Sequence, residues 1–189
     1  MKYAEETVKR NVLYDGRILR LCADDVRLPD GKPSVREYVE HNGGAAVFCE
    51  EDGKILLVRQ YRYAYREVIY EIPAGKIESG EDPAVTAARE LSEETGKKAA
   101  RTELMYILYP TPGYTNEKIL IYRAYGVTDG EAHPDSGEFV SAVFLPAEKV
   151  LEMIERGEIR DAKTIVAVQR YFLDRRAEKS GGKGAEQTE

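Results

Sequence analysis

Alternating apolar and polar residues predict that the N-terminal segment of the chain forms β-hairpins. Val, Ile, Leu and Tyr recur there at roughly every second position, and turn signals interrupt them at Asp15-Gly16 and at Pro29-Asp30-Gly31. Two longer apolar runs follow at 45–50 and 54–60, separated by a third turn signal, Glu51-Asp52-Gly53. Short, nearly continuous apolar runs of this kind are typical of strands in the centre of a sheet.

The rest of the chain mixes strands with three helices. Further strands are predicted at 68–73, 102–109, 117–127 and 138–145. Helices are predicted at 83–95, 147–156 and 161–176. The first helix has the clearest ends, because Asp82 is a favourable N-cap, Pro83 suits the first helical position and Gly96 suits the C-terminal stop. Gly157 is expected to end the second helix and Asp161 to cap the third.

This order of elements predicts an α+β fold in which a mixed β-sheet is sandwiched between helices. We expect an N-terminal antiparallel β-module at 1–42, a main domain at 43–177 and a polar, Gly-rich tail at 178–189 that is disordered. Two nucleotide-binding glycine loops are excluded, because neither G-x-G-x-x-G after a first strand nor G-x-x-x-x-G-K-[ST] occurs.

Composition argues against nucleic-acid and membrane partners. With 28 Lys and Arg against 34 Asp and Glu, the net charge is −6, so no surface for a nucleic-acid backbone is expected. No apolar run approaches the roughly 18 to 20 residues of a membrane helix, and the polar N-terminus has no signal-peptide core, so we expect a cytoplasmic protein. Only two cysteines and two histidines occur, so a metal site would be built from oxygen ligands.

Three glutamates, Glu90, Glu93 and Glu94, are spaced so that they share one face of the first predicted helix. Their like charges repel one another and need a positive partner. Arg89 can pair with Glu93 one turn away, but a divalent cation such as Mg²⁺ is the stronger partner because it prefers hard oxygen ligands. The common alternative is a solvated acidic face, and only a wider pattern decides between the two.

The opposite face of the same helix is small and apolar. It carries Ala84, Ala87, Ala88 and Leu91. Small residues let a helix pack closely on a sheet, so the helix would be anchored on this face and present its carboxylates on the other. The preceding Pro73-Ala74-Gly75 is expected to be a tight loop that could aim the Ala74 carbonyl at the same metal.

A wider pattern surrounds the glutamates. Gly75, Glu81 and the run from Arg89 to Gly96 fit the spacing G-x5-E-x7-R-E-U-x-E-E-x-G-U, where U is an aliphatic residue. This pattern resembles the signature of the Nudix hydrolases. The one departure is Lys97, at the final aliphatic position, which is expected to weaken a packing contact without removing a metal ligand.

The resemblance implies a Nudix fold and hydrolysis of a nucleoside diphosphate linked to another group. The family's ligands for Mg²⁺ or Mn²⁺ match the Ala74 carbonyl and the carboxylates of Glu90, Glu93 and Glu94. Glu81 and Arg89 match residues that brace the loop and the helix. The resemblance also implies that Arg89 and Glu93 are catalytic residues. In the implied reaction, water attacks one phosphorus while the metal offsets charge on the phosphate oxygens.

Flanking residues resemble the ADP-ribose pyrophosphatase subgroup. The segment 70–75 looks like its E-x-P-A-G entry, and Pro112, 15 residues after Lys97, matches a proline that marks the subgroup. The N-terminal hairpins resemble the β-module through which the subgroup dimerises, so a homodimer is implied. Of the family's substrate contacts, Arg62 matches an arginine that touches ADP-ribose and Glu71 a carboxylate near the adenine or an arginine. Arg36 is expected to reach the partner subunit's pocket.

The catalytic base of the subgroup lies on a loop outside the signature. Glu138 matches it in a G-E-F-V segment, with Asp135 as the second candidate. Relatives often carry an acidic residue after this segment, where Ser141 stands here.

The implied reaction is Mg²⁺-dependent cleavage of ADP-ribose to AMP and ribose 5-phosphate. Two alternatives stay open: another nucleoside diphosphate sugar such as GDP-mannose, or a Nudix module that senses a nucleotide without cleaving it. The retained Glu90, Glu93 and Glu94 argue against the sensor. The NADH-specific subgroup is disfavoured, because no S-Q-P-W-P-F-P-like segment follows the signature.

Overall fold

The N-terminal part of the computed structural model, which describes residues 2–134 and 137–181, is an antiparallel sheet. Its strands are β1 (Glu6–Lys9), β2 (Val12–Asp15), β3 (Leu19–Arg27) and β4 (Pro33–His41). β3 lies in the middle, paired with β4 on one edge and with β1 and β2 on the other. The predicted turns at Asp15-Gly16 and Pro29-Asp30-Gly31 connect β2 to β3 and β3 to β4, so the predicted hairpins are confirmed.

A second sheet is mixed, as expected. Its strands in spatial order are β10 (Lys97–Leu108), β11 (Ile119–Asp129), β5 (Gly44–Phe48) and β9 (Ala74–Lys76). β11 and β5 run parallel, and the other two pairs are antiparallel. The start of β5 lies next to β9. Residues of both strands line one wall of a cavity that is described with the candidate active site.

A third, antiparallel sheet is built around one long strand. It contains β6 (Glu50–Glu51), β7 (Lys54–Arg62), β8 (Glu67–Glu71) and β12 (Val140–Pro146). β7 pairs with all three of the others. The β6–β7 hairpin turns at Asp52 and Gly53, whose φ angles of 49° and 76° are left-handed, as a two-residue hairpin turn requires.

Three helices cover the sheets. They are α1 (Pro83–Thr95), α2 (Ala147–Glu155) and α3 (Ala162–Gly181). All three were predicted, and Asp161 caps α3 by accepting the backbone N–H of Thr164 at 3.0 Å. Within the described residues, no helix combines the length and apolar character needed to cross a membrane.

Two apolar clusters explain the layering. Alternate residues of β5 serve opposite sides: Ala45 and Val47 pack with α1, whereas Ala46 and Phe48 pack with α2 and α3. Because successive side chains of a strand point to opposite faces, the strands are covered by helices on both sides. The predicted α+β sandwich is therefore confirmed, although the strands that follow the N-terminal sheet form two sheets rather than one.

Two local predictions differ from the structure. Of the tight loop expected at Pro73-Ala74-Gly75, the last two residues lie in β9, because the backbone of residues 74–76 pairs with Gly44–Ala46 of β5. Helix α3 continues past its predicted end at 176 to Gly181, so the first part of the segment predicted to be disordered is helical. The remainder of that segment, 182–189, lies outside the described residues.

Candidate active site

Helix α1 is fixed at both ends by the residues that the sequence indicated. The Asp82 side chain accepts the backbone N–H of Ala84 at 2.7 Å, and Pro83 is the first helical residue. Gly96 ends the helix in the left-handed conformation, with φ of 71°, and its N–H bonds to the Ser92 carbonyl at 2.9 Å. The position of the α1 side chains is thus set locally.

One face of α1 anchors the helix to the mixed sheet. Ala87 and Leu91 are fully buried in a cluster with Val47 of β5 and Tyr122 of β11. Ala84 packs at the edge of that cluster. The predicted division of the helix into an apolar anchor and a carboxylate face is confirmed for these positions.

On the other face, Arg89 is surrounded by carboxylates. Its guanidinium donates to both oxygens of Glu81, at 3.0 and 3.2 Å, and to one oxygen each of Glu90 and Glu93, at 2.8 Å. Hydrogen bonds from Arg89 lower the pKa of Glu81 to about 2. The bracing role implied for Glu81 and Arg89 therefore has a direct structural basis.

Glu90 and Glu94 are buried, and the cations around them are too few to balance their negative charge. Burial, together with the neighbouring charges of Glu90 and Glu138, raises the pKa of Glu94 to about 8. Burial likewise raises the pKa of Glu90, although Arg89 opposes this. The Ala74 N–H donates to Glu94 at 3.1 Å. We call Glu81, Arg89, Glu90, Glu93 and Glu94 the α1 carboxylate cluster.

Strand β9 brings the backbone of Gly75 against this cluster. A Cβ atom at Gly75 would overlap the carboxyl group of Glu90. The signature glycine is therefore required for space, since its backbone and a glutamate side chain occupy adjoining positions. This steric reason replaces the expected one, a tight turn.

The donor set suits a divalent cation, although the side chains are not preassembled around one. In the described part of the chain, no three His, Cys, Asp or Glu side chains are grouped so as to hold a metal ion as they stand. Arg89 engages Glu90 and Glu93, and a backbone N–H engages Glu94. A hard cation such as Mg²⁺ can nevertheless displace the proton from a buried carboxyl group with a raised pKa. It then stabilises the ionised form by binding its oxygens.

A second group of charges lies where β7, β8 and α3 meet. Arg62 donates to both oxygens of Glu71, at 2.5 and 2.9 Å, and Lys163 donates to Glu71 and, at 3.0 Å, to Asp161. Burial works to raise the pKa of Glu71, but Arg62 and Lys163 outweigh it and the pKa is lowered. We call these four residues the cleft ion-pair cluster.

The predicted substrate residues are only partly brought together. Arg62 lines a cavity beside β9, and its contact with a substrate stays a prediction. Glu71 is buried behind Arg62, so it holds the arginine rather than facing a ligand. Arg36 lies on β4 and pairs with Glu5 at 2.5 Å, and its contact with the partner subunit's pocket stays a prediction. Pro112 is exposed, and a neighbouring cavity is lined by Pro110 and not by Pro112.

The base candidates lie on the segment before β12. Glu138 is exposed and close enough to Glu90 and Glu94 for its charge to affect both pKa values. Asp135 falls outside the described residues.

Lys97 remains packed, contrary to expectation. Its ammonium group pairs with Glu51 at 2.9 Å and Asp129 at 2.7 Å, and lies 5.0 Å from the centroid of the Phe144 ring. Ion pairs and a cation–π contact thus take the place of an aliphatic contact after α1.

Lys163 was missed by the sequence analysis. A signal was present, because a lysine in the first turn of a helix faces the positive end of the helix dipole and needs a carboxylate nearby. Its main partner, Glu71, is 92 residues away in sequence, so the pairing could not be read locally.

Comparison with known proteins agrees with this geometry. Residues 40–168 match the model of the NUDIX domain, and residues 5–39 match that of the nucleoside diphosphate sugar hydrolase N-terminal domain. The chain belongs to the Nudix hydrolases. The family model spans α1, the sheets beside it and the start of α3. The signature of this Nudix hydrolase lies within that span, and it includes the glutamates of α1.

Relatives and a solved structure resemble nearly the whole chain. The methanol dehydrogenase activator of Bacillus methanolicus is 42% identical over 170 residues, covering 88% of this chain and 92% of the relative. The ADP-ribose pyrophosphatase of Bacillus subtilis (strain 168) is 39% identical over 168 residues, covering 87% and 91%. A crystal structure of an ADP compounds hydrolase shares the fold, with a TM-score of 0.75, 22% identity and coverage of 95% and 99%.

Proposed function

We propose that this Nudix hydrolase cleaves ADP-ribose to AMP and ribose 5-phosphate with the help of Mg²⁺ or Mn²⁺. The observation that carries the proposal is the pair of buried carboxylates, Glu90 and Glu94, beside the Gly75 backbone. The surrounding cations do not balance their negative charge. The name of the Bacillus subtilis relative, ADP-ribose pyrophosphatase, supports the choice of substrate.

The metal would be held by Glu90, Glu93, Glu94 and the Ala74 carbonyl. When bound, it supplies neutralisation of phosphate charge and a lower pKa of water. Arg89 keeps Glu90 and Glu93 oriented through hydrogen bonds of 2.8 Å. Arg62 presents a planar guanidinium that suits a phosphate oxygen pair, and Glu71 fixes its direction.

Glu138 is our candidate for the general base. Its carboxylate is exposed at the edge of the α1 carboxylate cluster, where it can accept a proton from the attacking water or orient that water. Replacing Glu138 by Gln should lower kcat and leave KM nearly unchanged, whereas an unchanged kcat would move the role to another carboxylate.

We also propose a homodimer formed through the N-terminal sheet, acting in the cytoplasm without nucleic-acid partners. The support is a set of large apolar side chains left exposed on the N-terminal strands and turns, at Val8, Val12, Leu13, Tyr14, Ile18 and Val35. An exposed set of this size is typical of a protein–protein contact. Sedimentation of the full chain tests this, and a monomer at micromolar concentration would contradict it.

A product assay tests the activity directly. The protein is incubated with Mg²⁺ and, in parallel, ADP-ribose, GDP-mannose or NADH, and the products are separated by chromatography. We expect AMP and ribose 5-phosphate from ADP-ribose at the highest kcat/KM. Faster cleavage of GDP-mannose would shift the substrate, and binding without cleavage of any of the three would favour a sensor.

A further inference from the structure

The chain crosses from the third sheet to the mixed sheet over two residues. β8 ends at Glu71 and β9 begins at Ala74. Ile72 and Pro73 lie between them, and we call these two residues the crossing. Glu71 holds Arg62 in the cleft ion-pair cluster, whereas Ala74 belongs to the proposed metal site. The position of the crossing therefore sets the spacing between the two sites.

The crossing contains a fully buried backbone donor, the N–H group of Ile72. A buried N–H group is cut off from water and needs an acceptor from the protein. Pro73 has no N–H group, and its carbonyl accepts the N–H of Val47 in β5 at 2.9 Å. The acceptor for Ile72 is a side chain of α3, because the Thr164 hydroxyl oxygen lies 2.8 Å from the Ile72 nitrogen.

The Thr164 side chain is itself fixed in place. It is fully buried, and its hydroxyl donates to the Asp161 carboxylate at 2.5 Å. A hydroxyl has a single hydrogen to donate, so the bond to Asp161 leaves the Thr164 oxygen free to act as the acceptor for Ile72. Asp161 also accepts the backbone N–H of Thr164 at 3.0 Å. The acceptor is therefore fixed in both position and direction.

The first turn of α3 contacts both the end of β8 and the crossing. Lys163 donates to Glu71, and the next residue, Thr164, accepts from Ile72. Asp161 serves both of these α3 residues, since one of its oxygens accepts from Lys163 at 3.0 Å and the other accepts from Thr164. One helical turn therefore holds the carboxylate of the cleft and the backbone that leads into β9.

Strand β9 is short, so its first residue depends on what precedes it. The strand has three residues, Ala74–Lys76, and Ala74 lies at the end next to the crossing. The Ala74 N–H donates to Glu94 at 3.1 Å, and the Ala74 carbonyl is a proposed metal ligand. A shift of the crossing would therefore disturb a contact of Glu94 and a metal ligand together.

We infer that Thr164 is a positioning residue for the metal site. Its hydroxyl holds the Ile72 N–H group and thereby fixes the Ala74 backbone against α1. Groups that orient metal ligands from behind commonly change metal affinity by about 10- to 100-fold when they are replaced. The inference rests on the proposed function in taking the Ala74 carbonyl and Glu94 as metal ligands.

Mn²⁺ binding in the absence of substrate tests this inference. Mn²⁺ is titrated into the full-length protein and into its Thr164→Val and Thr164→Ser variants, and the free ion is measured by electron paramagnetic resonance. Val has nearly the shape of Thr but offers no acceptor, so we expect Thr164→Val to bind Mn²⁺ about 10-fold more weakly. Ser keeps the hydroxyl, so Thr164→Ser should bind Mn²⁺ as tightly as the unaltered protein.

A matched control separates positioning from stability. Val168 lies one turn further along α3 and is fully buried in the apolar core. Val168→Ala should lower the melting temperature, as Thr164→Val does, but leave the Mn²⁺ affinity unchanged. In metal-free, isotope-labelled protein, the Ala74 amide resonance should shift in Thr164→Val and stay in place in Val168→Ala. Thermal melts confirm that every variant is folded.

The outcomes distinguish this inference from the proposed function. If the protein cleaves ADP-ribose but Thr164→Val binds Mn²⁺ as tightly as the unaltered protein, the inference is wrong and the activity stands. If ADP-ribose is not cleaved but the Mn²⁺ affinity depends on the Thr164 hydroxyl, the activity is wrong and the inference stands. If the unaltered protein binds no Mn²⁺, the inference falls together with the metal assignment.

Two further results bear on the role of the hydroxyl. An equal loss of Mn²⁺ affinity in Thr164→Val and Val168→Ala would overturn the inference, because a general loosening of α3 would then be the cause. Should Thr164→Val not fold, Thr164→Ala removes the same acceptor with a smaller side chain, and the same weakening of Mn²⁺ binding is expected. Normal binding by a folded Thr164→Ala would likewise overturn the inference.

Discussion

The α1 carboxylate cluster and the cleft ion-pair cluster both contain buried carboxylates, but their charge balance differs. In the cleft, two carboxylates face two cations, whereas the α1 carboxylate cluster contains four carboxylates and one arginine, which pairs with three of them. Glu71 and Glu94 show the consequence, because they are 2% and 5% exposed but their pKa values move in opposite directions. That of Glu71 is lowered and that of Glu94 is raised to about 8.

This difference indicates what each cluster does. A balanced buried cluster can be complete within the protein and fix the position of a side chain such as Arg62. A buried cluster with excess negative charge is complete only with a further cation. The contrast therefore separates a structural use of charge from a ligand-binding use of charge on grounds other than the family signature.

The largest expected effect is on activity when the unbalanced cluster is altered. Glu94→Gln keeps an oxygen to accept the Ala74 N–H but removes a metal-binding charge, so we expect kcat to fall roughly 10³-fold. The fold should survive, with an unchanged or higher melting temperature in metal-free protein at pH 8. Steady-state kinetics and melts, compared with exposed Glu152→Gln, check this, and near-normal turnover would refute the metal assignment.

The balanced cluster should respond in stability. Lys163→Met removes a buried cation from Glu71 and Asp161, so we expect a loss of about 3 kcal/mol in the free energy of unfolding. Urea denaturation measures it. The control Lys149→Met alters a half-exposed lysine on α2 and should cost much less. Equal stability of the two variants would show that the cleft cluster contributes nothing.

Gly75→Ala tests the contact between β9 and the α1 carboxylate cluster. The added Cβ would overlap the Glu90 carboxyl group, which must move, so kcat/KM should drop about 100-fold. Gly113→Ala is the control, because a Cβ at Gly113 meets nothing within 4 Å. If both variants kept normal kinetics, the position of Glu90 would not matter for catalysis.

The pH dependence of metal binding is the smallest effect and the most specific one. Folded, metal-free protein holds a proton on Glu94 up to a pKa of about 8, above the usual 4.5, so its stability falls as pH rises through that window. Metal must displace this proton, so Mn²⁺ affinity should rise up to about tenfold per pH unit towards pH 8 and then level off. Titrations followed by electron paramagnetic resonance measure this. The slope should be lost in Glu94→Gln.

Local signals predicted the helices and the hairpins, and they indicated that the glutamates of α1 share one face of the helix. The ends of α1 are set by Asp82 and Gly96 within a few residues, and the Asp52-Gly53 turn by its own backbone preference. Such features depend on neighbours in sequence, which is why the sequence is sufficient for them.

Contacts between distant segments could not be predicted. β9 exists because β5 lies next to it, and Lys163 meets Glu71 only after α3 packs on the third sheet. His41 and Glu117 are likewise 76 positions apart in the numbering and meet through backbone bonds between β4 and the segment before β11. Pro112, to which the family resemblance pointed, stays a prediction, and the structure places Pro110 of the same segment in the wall of a cavity.

The most direct test of the account is the location of a bound divalent ion. Crystals soaked in Mn²⁺ and measured for anomalous scattering should show an ion bound by Glu90, Glu93 and Glu94, with the Arg89 guanidinium shifted from at least one of them. An anomalous peak elsewhere, with those three carboxylates still held only by protein groups, would contradict the central claim.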